Sequence, residues 1–218
     1  MTDSGRAQVE DMVIVHRTFR TTFAEAAGLV RSEAEPSVDR VTFLADHIDF
    51  TLSLLQAHHA GEDELLWPKL LERVPAEAAT VQRVADQHDD VSGGIARVGA
   101  ANAAWRAHPD AAHGAELADA LDALSQVVSA HLDEEERLVL PLASQALTQE
   151  EWDAIGEHSR ASIPADRMFI AFGMILEPAS EEDRRMLLSA LPEPVQQLWQ
   201  TVGKSTWNAY ATKLRPAA

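Results

Sequence analysis

Two stretches of the chain repeat a histidine and a glutamate at the same distances before a proline. HHAGEDELLWP contains His58 and Glu62, and HLDEEERLVLP contains His131 and Glu135. In each stretch the histidine that we align lies ten residues before the proline and the glutamate six. On a helix, side chains four residues apart are neighbours, with Cβ atoms about 5–6 Å apart. Each pair can therefore direct one nitrogen and one oxygen at the same metal ion.

A lone histidine precedes each pair at almost the same distance. His16 lies 42 residues before His58, and His88 lies 43 residues before His131. The chain therefore divides into two half-sites that together supply four imidazoles and two carboxylates. Such a set suits two adjacent transition-metal ions bridged by carboxylates, and ligands of nitrogen and oxygen without sulfur suit iron, and also manganese or zinc. One H-x-x-x-E is common on solvated helices, so the repeat is what predicts the metal.

Three further histidines receive separate interpretations. His59 is adjacent to a predicted ligand, but Leu132 stands at the matching place in the second stretch and cannot ligate. We therefore expect His59 to lie outside the ligand set, either beside the ligands or exposed. At about 1.5 Å of rise per residue, His47 lies roughly 16 Å from His58, so it either lines a channel or is a partly buried polar residue. His158 is the candidate for an additional ligand, with a surface position as the alternative.

The apolar periodicity predicts the elements that carry these residues. It indicates four long helices at about residues 7–31, 38–73, 76–107 and 111–147. Ser37 is the expected N-cap of the second helix, and Pro68 predicts a kink or a restart within it. Pro141 lies inside the fourth helix, and Gly93–Gly94 interrupts the pattern of the third at roughly 1 kcal/mol per glycine relative to alanine. The two glycines are either a tolerated weak point or, alternatively, a kink or a space beside the metals for a bound oxidant. Short connections between long helices predict an all-α fold built on an antiparallel four-helix bundle.

The last third of the chain also predicts helices. Thr148 and Glu151 form a capping box at the start of the first of them. The apolar MFIAFGMIL is expected in the core of this region, with a cap over the metal site or a dimer face as alternatives. We therefore divide the chain into a bundle with a two-metal site, residues 1–147, and a C-terminal helical extension, residues 148–218, that is not independent.

Composition limits the classes of function. The formal net charge of −17 repels phosphate backbones, which argues against a nucleic-acid partner. The absence of cysteine removes disulfides, thiolate metal sites and cysteine nucleophiles, and is compatible with a reducing cytoplasm. No signal peptide and no apolar run of membrane-spanning length is evident. We expect a cytoplasmic monomer or homodimer that does not bind membranes.

The order of the ligand candidates resembles that of the hemerythrin-like, or HHE cation-binding, family. The shared pattern is H…H-x-x-x-E…H…H-x-x-x-E with a proline after each H-x-x-x-E, over about residues 10–145. The extension resembles that of actinobacterial-type members with extra C-terminal helices. The resemblance implies a four-helix bundle with a non-haem di-iron centre bridged by oxygen and by carboxylates. Six residues match its ligand positions: His16, His58, Glu62, His88, His131 and Glu135.

The resemblance has one departure, and it affects the expected function. Oxygen-carrying members use five histidines, which leave one iron with a free coordination position, whereas the motif here supplies four. Either a fifth ligand comes from outside the motif, or the centre is more symmetric and both irons keep an open position. Reversible oxygen carriage is therefore in doubt, and redox chemistry on oxygen, hydrogen peroxide or nitric oxide is an expectation of at least equal weight. Peroxide dismutation needs no outside electrons, so catalase-like activity is the first enzymatic expectation. The alternatives are a non-enzymatic oxygen or iron sensor, an oxygen-binding module, and a bundle that holds zinc or no metal.

Overall fold

All regular elements are helical in the computed structural model, which describes residues 6–33 and 35–216. In chain order the α-helices are α1 (Glu10–Arg31), α2 (Val38–Leu65), α3 (Trp67–Arg73), α4 (Ala78–Ala107), α5 (Ala111–Glu134), α6 (Leu140–Ala146), α7 (Gln149–Ala161), α8 (Met168–Leu176), α9 (Glu181–Ala190), α10 (Glu193–Leu198) and α11 (Lys204–Leu214). In this part of the chain no helix combines the length and the apolar character that crossing a membrane requires.

Four of these helices, α1, α2, α4 and α5, form the bundle. Helix α1 packs on α5, α5 on α4, α4 on α2, and α2 on α1, so the four make a closed ring of neighbours. Short connections join α1 to α2 and α4 to α5, which makes each of these pairs antiparallel. Helices α2 and α4 are also antiparallel, because Arg106 contacts Asp46 and Asn102 contacts Asp49. The predicted all-α, hemerythrin-like bundle with additional C-terminal helices is confirmed.

The two repeated prolines restart a helix in both halves of the chain. Helix α2 ends at Leu65, and Pro68 stands in the first turn of α3. In the second half a π-helical turn, Glu135–Val139, follows α5, and Pro141 stands in the first turn of α6. Proline has no N–H and clashes with the carbonyl four residues earlier, so a continuous α-helix cannot pass through it.

Local capping fixes two helix starts as the sequence predicted. The Ser37 side chain accepts a hydrogen bond from the Arg40 backbone N–H at 3.2 Å. At the start of α7, Thr148 and Glu151 form the reciprocal capping box. Helix α4 runs unbroken from Ala78 to Ala107, so Gly93–Gly94 is the tolerated weak point and does not interrupt the helix. The packing of α4 against both α2 and α5 outweighs the low helix propensity of the two glycines.

The bundle core consists of two apolar clusters with a polar layer between them. One cluster includes Phe23, Leu44 and Leu121, and the other includes Trp67 and Leu140. Along all four bundle helices the candidate ligands fall between residues of the first cluster and residues of the second. The candidate metal site is therefore surrounded by packed apolar side chains, which limit its access to water.

The extension packs on the bundle at several places. Trp152 of α7 joins the second cluster, and Leu214 of α11 joins the first. Helix α8, which carries the apolar MFIAFGMIL, packs with Phe50 and Trp207 in a third cluster, as expected for a core segment. At Gly173 a Cβ atom would lie 2.3 Å from the Trp207 indole, so the close approach of α8 to α11 requires glycine there.

Candidate metal centre

Each bundle helix contributes at least one side chain to the polar layer. His16 comes from α1, and His88 from α4. Helix α2 contributes His58, His59 and Glu62, while α5 contributes His131 and the π-helical turn that follows it begins with Glu135. All seven residues are buried, and His16, Glu62 and Glu135 have no exposed surface. The structure therefore brings together all six residues that the repeat singled out, and it adds His59.

The side chains of this layer present unpartnered donor atoms to one another. Within the described part of the chain, Nε2 of each of the five histidines is buried and lacks a hydrogen-bond partner. The same holds for both carboxylate oxygens of Glu62 and of Glu135. Burying polar atoms without partners is costly, and buried charges are normally paired or coordinate a metal. Imidazole nitrogens and carboxylate oxygens are also a donor set that iron, zinc and manganese accept. The layer therefore fits a metal centre.

The two carboxylates lie between two groups of imidazoles. Glu62 Oε1 is 3.1 Å from His58 Nε2, and its Oε2 is 3.4 Å from His88 Nε2. Glu135 Oε2 lies 3.5 Å from His16 Nε2 and 3.8 Å from His131 Nε2. Each glutamate thus reaches a histidine from either half of the sequence, which is the placement that a bridging carboxylate requires.

The donor atoms form two groups that could each hold an ion. His16, His58, Glu62 and Glu135 form the first, which we call the two-histidine group. The second, the three-histidine group, contains His59, Glu62, His88 and His131. Within each group the ligand atoms all lie within 4.8 Å of one another, and Glu62 belongs to both.

His59 lies beside the predicted ligands and is not exposed. Its exposed fraction is only 5 %, and its ring stacks on His88 with the centroids 4.2 Å apart. Leu132, at the matching place in the second stretch, is instead a buried residue of the apolar core. The signal that could have identified His59 is its spacing from Glu62, because residues three apart on a helix are also neighbours. The two halves of the site are therefore not equivalent.

Burial sets the protonation of the side chains in this layer. It lowers the pKa of His131 to about 3, helped by the charges of His88 and His16. Burial likewise lowers the pKa of His58 well below its ordinary value, with further lowering from the neighbouring histidines. Burial and the nearby charge of Glu62 raise the pKa of Glu135 to about 8. Burial thus favours the neutral, metal-binding form of His58 and His131. Burial also lowers the pKa of His88, but Glu62 and Asp63 outweigh it and raise that pKa. A bound cation would favour neutral imidazoles and ionised carboxylates.

The other two histidines of interest lie outside both groups. The His158 side chain is 34 % exposed and its Nδ1 is 3.8 Å from Glu64, so the surface alternative describes it. His47 is buried, and its Nδ1 lies 2.9 Å from the Tyr210 hydroxyl of α11. His47 is therefore a buried polar residue at the contact between bundle and extension.

A comparison with family models decides the affiliation of this bundle. The model described as "Hemerythrin HHE cation binding domain" matches residues 7–143. The chain belongs to the hemerythrin HHE cation-binding family. No curated protein and no solved structure matches it with significance. The matched range contains every residue of the two donor groups, so this family's cation-binding role and the observed clustering describe the same part of the chain.

Proposed function

We propose that this HHE domain is a non-haem di-iron protein that binds and processes a small oxidant. The observation that carries the proposal is the pair of donor groups that share Glu62. Two groups with a common carboxylate suit two adjacent ions, and the absence of sulfur ligands favours iron over softer metals. When bound, such a pair of ions supplies redox chemistry on oxygen, hydrogen peroxide or nitric oxide.

The protein's own residues make the two ion positions unequal. Three imidazoles serve one position and two serve the other, while the carboxylates of Glu62 and Glu135 lie between them. We propose that the two-histidine group has the free coordination position, because it has fewer imidazoles. Phe19 lies beside this group, with its ring centroid 5.2 Å from that of His58. An apolar neighbour there favours a small ligand of low polarity and disfavours water.

Reversible oxygen binding is the second candidate, and the position of His59 is what favours it. The motif supplies only four histidines, which weakens the case for oxygen carriage, but the buried cluster contains five. Two measurements on the iron-loaded protein separate these functions. Catalase-like activity predicts oxygen release from hydrogen peroxide well above that from an equal amount of free iron. An oxygen-binding module predicts an absorption change that reverses through cycles of air and argon, without peroxide turnover.

The proposal also includes the class of ligand, the cellular location and the oligomeric state. The net charge of −17 favours a small, weakly polar ligand over nucleic acid. A cysteine-free chain is compatible with a reducing cytoplasm, where we propose that the protein works as a monomer or homodimer.

The metal content of the wild-type protein and of His59→Leu tests the ligand set. The wild type grown with ample iron should contain about two irons per chain. His59→Leu copies the residue at the matching place in the second stretch. It should contain about one iron per chain, because its affinity for the other iron falls at least about ten-fold. His158→Leu is the matched control and should retain both irons.

Two results would contradict this proposal. Fewer than about one metal per chain in the wild type would remove the di-iron centre altogether. Two irons bound by His59→Leu with wild-type affinity would exclude His59 from the ligands, and with it the argument for unequal positions.

A further inference from the structure

The acidic residue after each of the paired glutamates contacts a histidine from the other half of the chain. Asp63 follows Glu62, and its Oδ1 lies 2.7 Å from Nδ1 of His88. Glu136 follows Glu135, and its Oε1 lies 3.0 Å from Nδ1 of His16. The two contacts are related by the sequence repeat, and each connects an H-x-x-x-E segment to the lone histidine of the other half-site.

These contacts fix the orientation of the two lone histidines. Nε2 of His88 and Nε2 of His16 face the donor groups, so Nδ1 of each ring is the nitrogen available to donate a hydrogen bond. A carboxylate that accepts from Nδ1 sets the tautomer that leaves Nε2 free for metal, holds the ring in place and makes it a stronger ligand. By contrast, Nδ1 of His131 faces the neutral amide oxygen of Gln87 at 3.1 Å.

We propose that Asp63 and Glu136 are positioning residues, one for each ion position. Asp63 acts through His88 on the three-histidine group, and Glu136 acts through His16 on the two-histidine group. This inference rests on the proposed two-metal centre.

The two acids have different partners of their own. Arg20 donates to Glu136 at 2.6 Å and also to Asp133 at 2.7 Å. Asp63 instead accepts from the neutral indole N–H of Trp67 at 3.1 Å. Both acids are therefore held in place, but Arg20 offsets the negative charge that Glu136 presents to its histidine. No cation of the described residues lies beside Asp63, but its side chain is 56 % exposed whereas that of Glu136 is 25 % exposed, so water screens the charge that Asp63 presents to His88.

Cobalt(II) binding measures these effects without any assay of activity. The variants are Asp63→Asn and Glu136→Gln, which keep the shape of each side chain and remove its charge. Each should weaken the binding of one of the two cobalt ions by about 10–100-fold and should shift the visible absorption of that ion. Glu64→Gln and Asp119→Asn, whose side chains are 67 % and 80 % exposed, are the controls and should change neither value.

Combining the variants with loss of a lone histidine identifies the affected position. In a His16→Ala background the remaining ion lies in the three-histidine group, so Asp63→Asn should weaken the binding of that ion by the same factor of about 10–100. In a His88→Ala background Asp63→Asn should have no further effect, and Glu136→Gln should show the reverse pattern.

Different outcomes would refute the positioning role and the two-metal centre. If the wild type binds fewer than about one cobalt per chain, the two-metal centre itself fails. If the wild type binds two ions and both variants retain wild-type affinities and spectra, the centre stands and the positioning role is refuted. Equal effects of Asp63→Asn in both histidine backgrounds would refute the assignment to separate positions.

Discussion

At the scale of single residues, His47 shows how burial changes the chemistry of a histidine outside the metal centre. Its ring is 3 % exposed and shares a hydrogen bond with Tyr210. Burial lowers the pKa of His47 from 6.5 to about 4, while Glu25 opposes the shift and Arg215 and Arg167 add to it. The folded protein therefore keeps His47 neutral in a pH range where an unfolded chain would protonate it.

This difference predicts an acid-sensitive contribution to stability. As the pH falls below 6.5 the unfolded chain binds a proton at this position before the folded protein does, so the free energy of unfolding decreases until about pH 4. Between pH 7.5 and 4.5 the contribution lost should be about 2–3 kcal/mol. Urea unfolding of the wild type and of His47→Gln across this range checks it. The wild type should lose more stability than the variant, and parallel pH profiles would contradict the prediction.

At the scale of elements, the two adjacent glycines of α4 have different surroundings. A Cβ atom at Gly93 would meet nothing within 4 Å, whereas one at Gly94 would lie 2.8 Å from Leu124 Cδ1. Leu124 is a fully buried residue of the core on α5, so it has little room to move. The space beside Gly94 is therefore occupied by the neighbouring helix, and no opening beside the metals for an oxidant is needed to explain it.

This asymmetry predicts opposite effects of the same substitution at neighbouring positions. Gly93→Ala should stabilise the protein by up to about 1 kcal/mol, because alanine favours the helix without a clash. Gly94→Ala gains the same propensity but must displace Leu124, and overpacking of a core typically costs about 1–3 kcal/mol. Chemical denaturation of the two variants should place Gly93→Ala above the wild type and Gly94→Ala below it. Equal stability of the Gly93→Ala and Gly94→Ala variants would show that Leu124 moves aside without cost, and would contradict the prediction.

At the scale of the whole molecule, the extension takes part in the core of the bundle. Trp152 is 3 % exposed among residues of the second cluster, and its indole N–H donates to Asp11 of α1 at 3.0 Å. At the other end, Arg40 of α2 donates to the Lys213 and Leu214 carbonyls at 2.6 and 2.9 Å. These contacts support the division of the chain into a bundle and a dependent extension, which stays a prediction.

A substitution at Trp152 tests that dependence. Trp152→Ala should destabilise the whole chain by about 3–5 kcal/mol, because it removes a large buried side chain and leaves a cavity. A single unfolding transition, shifted as a unit, is expected when tryptophan fluorescence and circular dichroism are followed together. Leu198→Ala, at a 48 % exposed position, is the control and should change stability by no more than about 0.5 kcal/mol. Two separate transitions, with the bundle unaffected, would mean that the extension is an independent unit.

Local sequence patterns predict the helices and most residues of the candidate centre. Apolar periodicity, the caps at Ser37 and Thr148, and the restart at Pro68 depend on interactions within a few residues, so they can be seen without the fold. The pairs His58/Glu62 and His131/Glu135 were visible for the same reason, since four residues along a helix always bring two side chains together.

Which residues meet across helices depends on how the helices pack against one another. A residue adjacent to His58 is rotated by about 100° around α2, and the sequence does not reveal which helix faces that side. The packing of α4 against α2, and of α5 against α4, brings His88 and His131 close to His59 there, while Leu132 faces apolar core. The position of His59 among the buried imidazoles, and with it the proposed inequality of the two ion positions, therefore follows from how the helices are rotated against one another, which local spacing does not determine.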